Sequence, residues 1–281
     1  MGSPIDAGTM AGAVATRQQE LPAYVIGRGN AQLEELAERF AISRMTIHRD
    51  IQALAAKGLL RKVHGGVSTL SSGTVETSVL HRTHRATSEK KAIARLASQG
   101  IEAGQIVVLD DSTTAALLAD HVMRKGPLTV ITNSLGIGTR LSSASDVNLI
   151  SLGGRYHPTF DAFFGNLCEL SISALRANTL FMSVSAVHGV TAFHQEHDVI
   201  KAKLAMMEIV ERRVLMVDSM KFDVCALNRL APLAAFDEII TDAGISPSIK
   251  ARFEDAGLHL TIASSPTAQP SSGMAARAAA E

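Results

Sequence analysis

Two folded units are predicted: a small N-terminal winged helix-turn-helix over residues 17–67 and a larger α/β domain with a parallel sheet over 88–263. Three observations predict them. Near the N-terminus, two stretches with helical apolar spacing follow each other closely, and a short basic, β-rich stretch comes next. From residue 106 onward, apolar runs of strand length alternate with helical patterns, as in a parallel sheet covered on both faces. The 281 residues are 46% hydrophobic and 19% charged, which is apolar chain for about two domains and excludes a largely disordered protein. Aromatics are only 4% and Trp is absent, so Ala, Leu, Ile and Val must fill the cores.

The flanks read differently. Residues 1–16 are rich in Gly and Ala, without a basic start or a long apolar run, and are expected to be a disordered leader. Residues 264–281 are of low complexity and are expected to be a disordered tail. No uncharged apolar run approaches the ~18–20 residues that span a bilayer. The two cysteines, Cys168 and Cys225, fit reduced thiols better than a disulfide scaffold. A cytoplasmic protein with no membrane partner is therefore expected.

In the first unit, Leu33, Leu36, Ala37 and Phe40 form one apolar stripe, so a helix is expected over 31–40, supported by an earlier one over 17–25. Ser43 is a good N-cap for a second helix, in which Ile47, Ile51 and Leu54 repeat and Gly58 supplies the stop. Arg44, Thr46, His48, Arg49 and Gln52 then lie on or beside the face away from the core. Arg forks read guanine edges, Gln pairs with adenine, and Thr suits a phosphate or a thymine methyl. Residues 59–67 read as a β-wing whose Arg61, Lys62 and His64 would meet a phosphate backbone. Although the whole chain balances 27 cations with 27 anions, eight cations face five anions between Arg17 and Gly66.

These residues carry a resemblance. Glu35-Leu36-Ala37, the Ser43-capped helix with Thr46-Ile47 and Arg49-Asp50, and the closing Arg61 and His64-Gly65-Gly66 are similar to the DeoR family of bacterial transcriptional regulators. The resemblance implies double-stranded operator DNA as a partner. Symmetric dimers double the contacts on two half-sites, so a homo-oligomer, dimer or tetramer, is expected. His48 stands where the family usually has Arg, which bears on operator preference.

Small polar residues mark a linker, placed over 68–87. Beyond it a helix is expected over 88–97. Strands follow over 106–109, 128–132, 147–152, 180–184, 214–217, 238–241 and 258–262, with helices over 114–123, 200–212 and 247–256 among them. Ligands of such sheets sit beyond the carboxyl ends of the strands. Three loops there have suitable chemistry: Asp111, Ser112, Thr113 and Thr114; Asn133 and Ser134; Gly153 and Gly154. Hydroxyls at a helix N-terminus cradle phosphate, although plain N-capping or a tight turn explains each loop equally well. Lys203 and Lys221 are candidate cations.

Glu89-Lys90, the run from Leu109 to Thr114, Asn133-Ser134, Gly153-Gly154, Lys203 with Met206, and Asp218 through Phe222 match the sensor domain of the same family in order and spacing. That domain resembles the sugar-phosphate isomerase and CoA-transferase fold. The resemblance implies a phosphorylated sugar or related anion as effector, and a repressor of a carbohydrate-metabolism operon. Ser112 replaces a usual Gly, and Ser183 stands where Gly is common, so the pocket floor departs from the pattern. The alternative is a sugar-phosphate isomerase with Asp110, Asp111 or Glu196 as base. No enzyme, catalytic residue or cofactor is expected. No metal is expected either, since His121, His157, His188, His194 and His197 form no compact ligand set.

Overall fold

The computed structural model describes residues 17, 20–22, 24–25, 28–56, 60–68 and 78–264. The first unit holds β1 (Asn30–Gln32), α1 (Leu33–Arg39), α2 (Arg44–Ala56), β2 (Arg61–Val63) and β3 (Gly66–Ser68). Its sheet is antiparallel in the order β1-β3-β2. The helix expected over 31–40 starts at Leu33, because Ala31 pairs with Val67 and both are buried in the small core. Leu21, Val25, Leu36, Ile47, Ile51, Leu54 and Leu60 complete that core. Ser43 caps α2 as expected, its Oγ accepting from the Thr46 amide at 3.2 Å. Asp50 is buried on α2 and receives the Arg17 guanidinium at 2.7 Å. A Cβ on Gly66 would run into the Ala31 carbonyl oxygen, so the close approach of β3 to β1 requires glycine there. Gly58, the leader over 1–16 and the tail beyond Ser264 lie outside the described residues.

The linker expected over 68–87 does not hold throughout. Ser68 belongs to β3, and α3 (Val79–His84) forms a capped helix seated on the second unit. The Val79 amide bonds the Thr159 carbonyl at 2.8 Å, and the Arg82 guanidinium bonds the same oxygen at 3.3 Å. These tertiary partners, which local composition does not show, hold the turn in place.

The second unit continues with α4 (Thr87–Ala97), β4 (Ile106–Leu109), α5 (Thr113–Val122), β5 (Leu128–Thr132), α6 (Leu135–Leu141) and β6 (Val147–Ser151). A hairpin of β7 (Arg155–His157) and β8 (Ala162–Phe164) leads to α7 (Asn166–Ser173) and β9 (Ala177–Met182). Then come β10 (Ala186–His188), β11 (Thr191–His194), α8 (His197–Glu208), β12 (Val210–Met216), β13 (Asn228–Pro232), β14 (Glu238–Asp242), α9 (Pro247–Asp255) and β15 (Leu260–Ala263). Seven parallel strands form the main sheet in the order β15-β14-β12-β9-β4-β5-β6. Val107 and Leu109 point to a core with α4, α5 and α6, while Val108 points to the other, shared with α7, α8 and α9. This double burial explains the continuous apolar strands.

The helix expected over 200–212 stops at Glu208, and Val210 already pairs beside Ala177 of β9. The strand expected over 180–184 lies at β9, displaced toward the N-terminus by that pairing. The β7–β8 hairpin and the small sheet β10-β11-β13 were not foreseen, since strands of three to five residues carry little periodicity. No helix among the described residues is long and apolar enough to cross a membrane.

Candidate functional site

From β4 the chain builds outward to β5 and β6, and from β9 it builds the opposite way to β12, β14 and β15. The β4–β9 border is thus a topological switch point, where the loops diverge and leave a crevice at the carboxyl ends. Asp110 sits at its base, fully buried. Its carboxylate accepts from the Ser112 amide at 3.0 Å, from the Ser183 amide at 2.9 Å, and from Lys203 Nζ. Lys203 comes from α8, is 1% exposed, and also lies 3.3 Å from Asp111 Oδ1. Burial disfavours its charge, but Asp110 and Asp111 outweigh burial and hold its pKa above the ordinary value.

Above this pair opens a cavity. Of the residues singled out in the sequence, Asp111, Ser112, Thr113, Lys203 and Lys221 line it, together with Arg82, Arg85, Lys90, Ser183, Ser185, His194, Gln195, Asp218, Met220 and Cys225, which the sequence does not mark as site residues. Lys221 bonds Ser183 Oγ at 3.2 Å and stands 3.5 Å from Asp218 Oδ2. Among the described residues Lys90 has no such carboxylate. Its Nζ donates to the Arg82 carbonyl and, at 3.0 Å, to Thr113 Oγ1. Burial, with Lys221 next and partly countered by Asp218, draws its pKa down to about 7. Ser112 caps α5 through the Ala115 amide at 3.1 Å, so its hydroxyl is already in use.

The other expected residues lie elsewhere. Thr114, in the first turn of α5, is wholly buried and does not line the cavity. Asn133 Nδ2 donates to the Phe163 carbonyl at 3.0 Å, and Ser134 caps α6 through the Ile137 amide at 3.3 Å. A Cβ on Gly154 would lie 2.7 Å from the Phe164 carbonyl oxygen. Asn133, Ser134 and Gly154 therefore dock the β7–β8 hairpin, and Gly153 also stands outside the cavity lining. As for the isomerase alternative, Asp110 is fully occupied by its donors, and Glu196 leads into α8. Among the described residues no cluster of His, Cys, Asp or Glu could hold a metal ion.

In the first unit His48, Arg49 and Gln52 are exposed along α2, and Arg61, Lys62 and His64 are exposed on the wing. Arg44 pairs with Glu34, and Thr46 Oγ1 lies 2.9 Å from Ser43 Oγ.

An exposed recognition helix and basic wing fused to a cavity rich in cations define a ligand-responsive DNA-binding protein. The chain belongs to the DeoR family of transcriptional regulators: the DeoR-like helix-turn-helix domain matches residues 17–73 and the DeoR C-terminal sensor domain matches 85–243. The uncharacterized HTH-type transcriptional regulator YulB of Bacillus subtilis (strain 168) is 31% identical over 88% of this chain and 96% of its own. The lactose phosphotransferase system repressor of Lactococcus lactis subsp. lactis is 35% identical over 78% of this chain and 87% of its own. The L-fucose operon activator of Haemophilus influenzae is 31% identical over 83% and 94%. Arg82 falls between the two matched spans, which is why family motifs did not point to it. Lys90 was visible as half of the Glu89-Lys90 motif, without a role.

Two outcomes are expected. Lys203→Met strands the Asp110 charge in the core, so urea unfolding should show a loss of about 3–5 kcal/mol; a near-neutral change would refute the pairing. His81 is 3% exposed, with neither ring nitrogen hydrogen-bonded among the described residues. Burial, then Arg85 and Lys90, lowers its pKa from 6.5 to about 4. The unfolded chain therefore takes up the proton first as pH falls. Stability is full above pH 6.5 and drops by about 3 kcal/mol on the way to pH 4. His81→Leu should flatten that acid dependence, and an unchanged slope would count against it.

Proposed function

We propose that the protein represses an operon of carbohydrate metabolism, and that a phosphorylated sugar or related anion in the switch-point cavity governs its hold on operator DNA. One observation carries this reading: five cations, Arg82, Arg85, Lys90, Lys203 and Lys221, line a single cavity that also holds Asp111 and Asp218. Lys203 and Lys221 have carboxylate partners, whereas Lys90 bonds only neutral oxygens. The phosphate then belongs at Lys90 and Arg85, beside the start of α5. A carboxylate repels phosphate but accepts from sugar hydroxyls. Asp218 is suited to that: its Oδ2, 3.5 Å from Lys221 Nζ, accepts no hydrogen bond among the described residues. The similarity to the lactose phosphotransferase system repressor and the L-fucose operon activator supports a sugar-linked operon.

His48, Arg49 and Gln52 are proposed to face base edges, with Arg44 and Thr46 at their flank and Arg61, Lys62 and His64 on phosphates. We also propose a dimer or tetramer, because one helix-turn-helix makes too few contacts for tight specific binding.

The test is the double variant Arg85→Ala with Lys90→Gln. Neither residue has a carboxylate partner among the described residues, so their removal strands no buried anion. The variant should fold and bind operator at wild-type affinity, yet no sugar phosphate in a panel should release it in gel-shift titrations. With the wild type, a true effector at 100 times its Kd should add about 2.7 kcal/mol of stability. An unaltered release curve in the variant would remove the site. For assembly, light scattering at micromolar concentration with operator present should show dimers or larger; monomers alone would reject that part.

A further inference from the structure

The recognition helix presents an apolar side chain that the described residues of its own domain leave exposed. Met45 is 76% exposed at the second position of α2. It stands one and two turns before Arg49 and Gln52, in a line opposite the buried Ile47, Ile51 and Leu54. Its neighbours are engaged, Arg44 with Glu34 and Thr46 with Ser43. In a helix-turn-helix, the N-terminal residues of the second helix reach base edges in the major groove. The apolar feature there is the C5-methyl group of thymine. An unbranched thioether chain can adapt to that surface.

We propose that Met45 is a specificity-determining residue that packs against a thymine methyl group in each operator half-site. This rests on the DNA-binding reading of α2. It places an apolar contact beside the polar ones of Arg49 and Gln52, and it predicts that thymine at one position is favoured for its methyl and not for its hydrogen-bonding edge.

The experiment begins with a duplex selected from a random pool by the full-length protein. Each thymine is then replaced by deoxyuridine, which removes the methyl and leaves the pairing. Wild-type protein should lose ~4-fold in affinity at one thymine per half-site, about what one buried methyl contributes. Met45→Ala should bind the unmodified duplex more weakly by a similar factor and be indifferent to that replacement. Its thermal midpoint should be unchanged, because the side chain has no core contacts. Its salt dependence should also be unchanged, because no phosphate contact is lost. Equal deoxyuridine penalties in wild type and Met45→Ala would overturn the proposal, as would wild-type affinity in the variant. A pool that yields no preferred duplex would overturn the DNA reading of α2 itself. A selected duplex weakened by Arg49→Ala but not by Met45→Ala would sink the Met45 contact alone.

Discussion

The buried ion pair of Asp110 and Lys203 is the constraint around which the second unit is arranged. Taking both charges out of water is costly and is offset only when every remaining donor and acceptor is satisfied. Asp110 meets that condition by accepting from the amides after β4 and β9 and from an ammonium on α8. Three elements distant in sequence are thereby fixed at one point. With Asp110 consumed, Asp111 and Asp218 are the carboxylates left at the cavity wall, and Lys203 is held charged beneath Asp111.

Two kinds of cation surround the cavity as a result. Lys203 and Lys221 are parts of the scaffold, each balanced by aspartate. Lys90 is buried beside other cations, and its proton is weakly held. A nearby anion would strengthen that hold. Burial, with the same cations adding to it, keeps the His81 imidazole neutral.

Much of this was legible in the sequence because periodicity reports burial. Ile106–Leu109 and Leu128–Thr132 lie as expected, being central strands covered on both faces. The short strands β7, β8, β10 and β11 left no such trace, and their pairing is set by contacts far along the chain. In the candidate site, strand-end loops were located but not sorted. Asn133 and Gly154 carry the same small polar or glycine signature as Ser112 and Thr113, yet they hold a hairpin and not the cavity. Arg82 and Arg85 were hidden because a polar stretch after the wing reads as linker until its bonds to Thr159 are known.

The position of α3 also bears on how such regulators can be recombined. The matched helix-turn-helix ends at residue 73 and the matched sensor begins at 85, so the stretch between them invites a splice. A junction placed inside α3 would discard Arg82, the cap at Ser78 and the carbonyl that receives Lys90. The recipient sensor would keep its sheet and lose one wall of its cavity. Modules of this architecture are interchangeable as units only when the seam falls before Ser78, with the connecting helix inherited from the sensor side.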